Sequence, residues 1–368
     1  MPKDNRIPEI ELMKAIAIVG MVFVHIYECT GFAFSINEGP VYLLGLIVEF
    51  MGGVISAGTF MFAMGWGIAF SEKATPKTCF DRFTQLILLG LFTNIFTQWI
   101  PMRTAAEKTS FAEGWYRIFA VDIYPFAALA MLYFALIKKI FQKEKHRIIV
   151  SAALLFVALA INMLIPPDGF STGSNAADTL IGLFIRENGY SYFPFVTWIA
   201  FPIMGFGAGS LYRKMNSQKG FAVFLLLSGI AALIISVAVM KHFNMPNAAI
   251  CPYKVEDTEY YAMNSMSIVC GYGVIAIEYL LSMGIVKLKK NKLPKLITTM
   301  SKNVMYIYVI QWIIIGISSS LIARLRNAVV YVILSLIVLA ATYGLSILID
   351  RILKKDKFRD KTEYLILK

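Results

Sequence analysis

The stretch 11–33, ELMKAIAIVGMVFVHIYECTGFA, decides the fold. It runs for the roughly 20 residues that an α-helix needs to cross a bilayer, and Glu11, Lys14, His25 and Glu28 are its only ionisable residues apart from Tyr27 and Cys29. Comparable apolar blocks recur along the chain, at roughly 11–33, 41–70, 83–100, 117–137, 148–166, 192–212, 220–240, 261–286, 303–323 and 327–350. The sequence therefore predicts an all-α, polytopic transmembrane helix bundle of about ten spans, forming one integral-membrane domain over residues 1–368. Composition agrees: 58% of the residues are hydrophobic and 16% charged, against about 45–50% and 25% in soluble domains. That balance excludes disorder and an ordinary soluble enzyme. The net charge of +12 is not a nucleic-acid footprint, because the basic residues sit in short clusters between apolar blocks and form no continuous face.

Those clusters set the expected topology. An even number of spans puts both termini on one side. Most of the 35 Lys and Arg residues fall on that side, in runs within 1–14, 73–82, 138–147, 213–219, 287–302 and 351–368. The other side receives Arg103, Lys108, Arg117, Arg186, Lys241, Lys254, Arg324 and Arg326. The positive-inside rule then predicts a multi-pass plasma-membrane protein with cytoplasmic N- and C-termini. The first apolar block is too long for a removable signal peptide and lacks a small-residue cleavage site, so it is expected to stay as helix 1. The longer connections 166–191 and 241–260 read as loops or short re-entrant pieces over the outer mouth. No internal repeat is visible, which weighs against a repeat-built transporter. Cys29, Cys79, Cys251 and Cys270 have no metal or redox spacing and read as packing residues, with a Cys29–Cys251 bridge on the outer side as the alternative.

Ionisable groups inside hydrocarbon are expensive, so each is a candidate for function. Lys14, Ile18, Met21 and His25 follow one another at helical steps and share a face of helix 1, with about 16 Å of rise from Lys14 to His25. A cation at one surface thus stands below an imidazole deep in the membrane. Glu28, three positions on, is within reach of the ring and is expected to accept its other N–H, fixing the tautomer. The plain alternative is a snorkelling lysine and a histidine engaged in helix packing. Asp122 is expected a turn inside the outer end of the fourth span, below Arg117 and paired either with it or with a neighbouring helix. Asn94, Gln98 and Gln311 add neutral partners, while Glu49 and Glu278 read as structural. His146 and His242 fall at solvated positions. There is no HExxH, CxxC, GxSxG or Walker pattern, so no metal is expected and zinc hydrolysis, nucleophile-elbow chemistry and ATP-driven pumping lack their parts.

Several segments, in chain order, resemble the transmembrane acyltransferase superfamily. Helix 1, IELMKAIAIVGMVFVH, is similar to its opening motif of an acidic residue, a base and a His, here Glu11, Lys14 and His25. GTFMFAMGWGIAF followed by Arg82 looks like its second helix and basic loop, and RIFAVDIYPFAAL, with Asp122, resembles its fourth-helix region. YFPFVTWIAFPIMGFGAGSLYRK resembles the heparan-α-glucosaminide N-acetyltransferase branch, and MSKNVMYIYVIQW a late helix that ends in His or Gln, here Gln311. His25 itself fits the acyltransferase-three branch.

The resemblance implies transfer of an acyl group, usually acetyl, from cytoplasmic acyl-CoA such as acetyl-CoA to an extracytoplasmic acceptor, a cell-envelope saccharide hydroxyl or amine. Lys14 and Arg82 would hold the CoA phosphates. His25 would be the general base, oriented by Glu28 or Asp122, and Gln311 would donate to the oxyanion. The rival reading is a proton-coupled secondary transporter that relays protons through His25, Glu28, Glu49 and Asp122; a non-catalytic membrane scaffold is a third. No nucleic-acid partner is expected, the bilayer is the surrounding medium, and homo-oligomers are compatible with the sequence.

Overall fold

The computed structural model describes residues 7–30, 39–71, 73–100, 115–165, 171–185, 192–215, 217–247, 249, 261, 263–325 and 327–355. Its elements in order are α1 (Pro8–Cys29), α2 (Gly39–Gly52), a π-helical segment Gly53–Gly58, α3 (Thr59–Phe70), α4 (Pro76–Asn94) and a second π segment Ile95–Trp99. A 3₁₀ turn Trp115–Phe119 leads to α5 (Ile123–Ile140), α6 (Glu144–Leu164) and α7 (Asn175–Gly182). The turn Phe195–Trp198 then opens α8 (Ala200–Lys214), followed by α9 (Gln218–His242), α10 (Ser265–Leu288), α11 (Lys295–Lys302), α12 (Val304–Ile322) and α13 (Ala328–Lys355). There is no strand among these elements.

Nine of these helical stretches are long and apolar enough to cross a membrane, which makes the protein a polytopic helix bundle. The remaining block expected from sequence is α4 with its π extension. It is helical from Pro76, but Lys77, Asp81 and Arg82 in its first turns make it amphipathic. The fourth span starts at Ile123, not at 117 as the hydropathy pattern predicts. Asp122 is its N-cap, its Oδ1 accepting the Ile123 N–H at 2.7 Å, and Pro125 occupies the first turn where a missing N–H is tolerated.

α1 is the axis of the bundle, with 67% of its most apolar window buried against only 11% for the peripheral α6. It packs on α2, α3 and α10–α13. Close approach is made by glycine where α1 meets α2: a Cβ at Gly20 would strike the Met51 carbonyl, and one at Gly52 would overlap the Val24 side chain. The Ser56 hydroxyl lies 2.8 Å from the Ala17 carbonyl and 2.7 Å from that of Met51, five residues back, which stabilises the π turn at this crossing.

The α3–α8 contact is equally tight, since a Cβ at Gly65 would lie inside the van der Waals radius of the Pro202 carbonyl oxygen and one at Gly205 inside that of Phe62. Backbone cannot retreat as a flexible side chain does. Gly65→Ala is therefore expected to destabilise the bundle by about 1–3 kcal/mol, read as a lower melting temperature in detergent, whereas Gly67→Ala, where a Cβ meets nothing, should be silent.

Lys138, Arg147 and Arg213 mark one end of the bundle, called here the basic end. The opposite end is closed by α7 and the segment after it, whose Tyr192 and Phe193 N–H groups both donate to the Val121 carbonyl. There the Asp178 carboxylate accepts from the Thr172 N–H at 2.6 Å, the Thr172 hydroxyl at 2.7 Å and the Ser171 hydroxyl at 2.9 Å, and these bonds hold its pKa below the ordinary 3.8. A depressed carboxylate pKa stabilises the fold above the unfolded value and loses that contribution as pH falls through the folded one. Limited proteolysis should accordingly cut residues 171–185 faster at pH 3 than at pH 6 with an acid-tolerant protease, and Asp178→Asn should remove much of that difference. The expected loops 166–191 and 241–260 are described only in part. Cys79 and Cys270 are buried packing residues, while Cys251 of the expected alternative bridge lies outside the described residues.

Candidate functional site

His25 sits about one turn before the C-terminal end of α1, half-buried, with its ring tilted 34° against the Trp312 indole at a centroid separation of 4.4 Å. The Tyr308 ring meets it edge-on at 6.1 Å. Gln311 Nε2 lies 2.7 Å from His25 Nδ1. The imidazole is therefore fixed in plane and rotation by α12, and its Nε2 makes no hydrogen bond among the described residues. It borders a cavity of about 230 Å³.

The cavity wall comes from seven separate stretches of the chain. α1 supplies Met21, Val24, His25, Glu28 and Cys29; α2 with its π segment supplies Glu49, Gly52, Gly53, Ser56 and Ala57; the second π segment supplies Thr97 and Gln98. Asp122 and Ile123, the aromatic residues Tyr192, Phe193 and Tyr261, and Tyr308, Trp312, Ile315 and Ser319 complete it, with Phe60 of α3. π-helix accounts for well under 1% of residues in proteins and is found disproportionately at functional sites. Both π segments among the described residues border this one cavity.

Asp122 is buried and fully engaged. Its Oδ2 accepts from the Tyr308 hydroxyl at 2.7 Å while Oδ1 caps α5, so the carboxylate ties α5 to α12 directly behind His25. Tyr124 adds a second tie, its hydroxyl donating to the Met305 carbonyl at 2.8 Å. Asn94 holds the turn that leads to Asp122, with Nδ2 donating to the Ile118 and Ala120 carbonyls, each at 2.8 Å.

The structure thus brings together four residues singled out from sequence, His25, Glu28, Asp122 and Gln311, but in different relations. Gln311, expected as an oxyanion donor, lies on the imidazole. Glu28 was expected on the ring; Gln311 takes that place, because α12 packs its polar side chain against Nδ1 while Glu28 lies exposed at the cavity rim. Asp122 pairs with Tyr308 rather than Arg117, and reaches His25 only through the Tyr308 ring. Glu49, expected to be structural, lines the cavity; Glu278 lies elsewhere, accepting from the Thr59 hydroxyl. Lys14 and Arg82 do not line this cavity.

Trp312, Tyr192 and Ser56 were not found from sequence. Trp312 follows Gln311 and had a readable cue in that adjacency; Ser56 and Tyr192 had none, because their positions follow from tertiary hydrogen bonds.

Chemically, an imidazole with one nitrogen anchored and the other open to a cavity is equipped to take and return a proton. The carboxylates Glu28 and Glu49 beside the rings of Tyr192, Phe193, Tyr261 and Trp312 combine hydrogen-bond acceptors with flat apolar surfaces. None of the curated proteins compared is significantly similar to the chain. A model of the family described as acyltransferase domain, acyltransferase family three, matches residues 7–351, nearly the whole length. The chain belongs to this acyltransferase family.

Proposed function

We propose that this membrane acyltransferase moves an acyl group, acetyl in the first instance, from cytoplasmic acyl-CoA to a hydroxyl or amine of an extracytoplasmic acceptor, a cell-envelope saccharide. The observation that carries the reading is His25, anchored at Nδ1 by Gln311 and bordering the cavity with no partner on Nε2 among the described residues. In the proposed step the Gln311 amide turns its oxygen to Nδ1–H, which leaves Nε2 unprotonated, and Nε2 takes the proton of the acceptor O–H or N–H as the acceptor atom bonds to the thioester carbonyl carbon. The tetrahedral adduct then collapses with cleavage of the C–S bond, and the proton passes from His25 to the departing thiolate. No covalent enzyme intermediate and no metal are required by this sequence.

Saccharide as acceptor is supported by the cavity's make-up. Aromatic faces suit the C–H surface of a sugar ring, and Glu28, Glu49 and Gln98 are suited to its hydroxyls. The concentration of His25, Glu28, Glu49 and Asp122 at one cavity also fits the rival, a proton-coupled transporter. Mass spectrometry of envelope glycans from cells with and without the protein separates the two: an acyl mass difference supports transfer. Unchanged glycans, together with proton-coupled uptake by purified protein in vesicles, would overturn it. Orientation is tested by cysteine accessibility, with 138–147 expected to label only from the cytoplasm.

A further inference from the structure

The segment from the last turn of α10 to the end of α11, KLKKNKLPKLITTMSK (287–302), holds Lys287, Lys289, Lys290, Lys292, Lys295 and Lys302, and no Asp or Glu occurs between Glu278 and Asp350. Lys302 is used internally, its Nζ lying 3.4 Å from the Asp350 carboxylate. The other five are exposed and form no ion pair among the described residues. Glu9, at the start of α1, lies within electrostatic reach of Lys287. A single carboxylate at that range leaves the corner with a surplus of positive charge.

The backbone fixes how that charge is displayed. The Asn291 N–H donates to the Val286 carbonyl and the Lys290 N–H to that of Lys287, each at 2.9 Å, which closes α10 in a Schellman-type turn. Lys290 and Asn291 both take left-handed backbone, at φ 51° and 61°. Glycine is the usual residue there because a Cβ crowds this conformation, and asparagine is its usual substitute. A glycine in place of Lys290 would close the same turn without strain; what the lysine adds is a cation at a rigid, exposed corner.

Apolar side chains stand among these cations. Leu288 is 84% exposed and Leu296 51%, one on each side of the turn. A nucleic acid or a soluble acidic protein would take up the lysines and leave the leucines in water. A membrane interface accommodates both, leucine at the acyl boundary and lysine against the headgroup phosphates. The corner stands at that depth, because Leu288 is the last residue of α10, a helix long and apolar enough to cross the bilayer. On its inner side α11 packs against α1. Its buried Met300 shares an apolar cluster with Ile18 and Met21, which lie two turns and one turn before His25 on the same face of α1.

We propose that the α10–α11 corner is a docking surface for anionic lipid headgroups, and that lipid held there braces α11 against the foot of α1. The test uses the full-length protein in nanodiscs of phosphatidylcholine with and without phosphatidylglycerol, reading the melting temperature and, by native mass spectrometry, the lipid retained. The parent is expected to melt about 3 °C or more higher with phosphatidylglycerol and to retain it in preference to phosphatidylcholine. High salt should shrink the gain. The triple variant Lys289→Gln, Lys290→Gln, Lys292→Gln should lose at least half of the gain. Removal of the same charge around the α5–α6 connection, by Lys139→Gln, Lys143→Gln and Lys145→Gln, should preserve it; all six lysines are exposed. No gain in the parent, or equal loss in both triple variants, would overturn the docking surface, the second result assigning the effect to net charge alone. Inorganic pyrophosphate in phosphatidylcholine discs is the remaining control: a gain equal to that of phosphatidylglycerol, abolished by the first variant, would make the ligand a soluble anion and overturn the lipid. Should the first variant fail to fold, Lys290→Gly relaxes the turn while removing one cation. It is expected to melt higher than the parent in phosphatidylcholine and to gain less from phosphatidylglycerol; an undiminished gain there overturns the proposal.

Discussion

His25→Ala is expected to lower acyl-transfer turnover by about 10²–10⁴-fold, the usual contribution of a general acid–base group, with folding and donor binding nearly intact. Little of the fold depends on the imidazole. Its single hydrogen bond is to Gln311, and its remaining contacts are with the rings of Trp312 and Tyr308 at the edge of an existing cavity. Alanine is also the best helix former, so α1 keeps its path. The leftover cost is the Gln311 amide losing its partner, about 1–3 kcal/mol where no water replaces it. The measurement is single-turnover transfer from radiolabelled acetyl-CoA, with a melting curve and CoA affinity taken on the same preparation. Near-parental turnover in the variant would remove His25 as the base and leave Asp122 or Glu49 as the next group to test. Asp122 is the weaker of those two on geometry, since both its oxygens are engaged by Tyr308 and the Ile123 N–H.

What was legible in the sequence was whatever rests on local periodicity. The span pattern follows from apolar block length, and His25 and Lys14 were set on one face by helical spacing alone. The limits of the fourth span were not legible, because hydropathy does not sense the cap that Asp122 supplies. Neither were the π segments. Nothing in GVISAG or IFTQW differs in composition from ordinary membrane helix; the wide turn arises where the Ser56 hydroxyl takes up the Met51 carbonyl beside α1, and where α12 crosses at Gly316, whose missing Cβ lets the Phe96 carbonyl approach. Those turns rotate Ser56, Thr97 and Gln98 onto the cavity wall. Partnerships between distant helices were the other gap. Helical spacing singles out Glu28 as the neighbour of His25 because it sees only α1, whereas the residue on the ring lies 286 positions away on α12.

That distant residue governs what His25 does. A neutral imidazole carries one ring proton, so the partner on Nδ1 decides the state of Nε2. An amide that presents its oxygen to Nδ1–H leaves Nε2 as a base facing the cavity; one that presents its nitrogen makes Nδ1 the acceptor and turns Nε2–H into a donor. Gln311 is able to present either end, and in the structure its Oε1 is buried without a partner while Nε2 meets the ring. Substitution separates the two roles. Gln311→Glu fixes an acceptor on Nδ1–H, which commits Nε2 to the basic form and raises the imidazole pKa through the adjacent carboxylate. If His25 is the base, this variant should keep turnover within about tenfold of the parent, and the acid limb of its pH–rate profile should move to higher pH. Gln311→Leu should cost about 10–10²-fold, equivalent to the 1–3 kcal/mol of an unmet buried hydrogen bond, and should cost almost nothing further in a His25→Ala background because the two residues act as one unit. A Gln311→Glu protein as impaired as Gln311→Leu, with an unshifted pH profile, would assign His25 the opposite role, that of a hydrogen-bond donor to the developing oxyanion, and would pass the base to one of the cavity carboxylates.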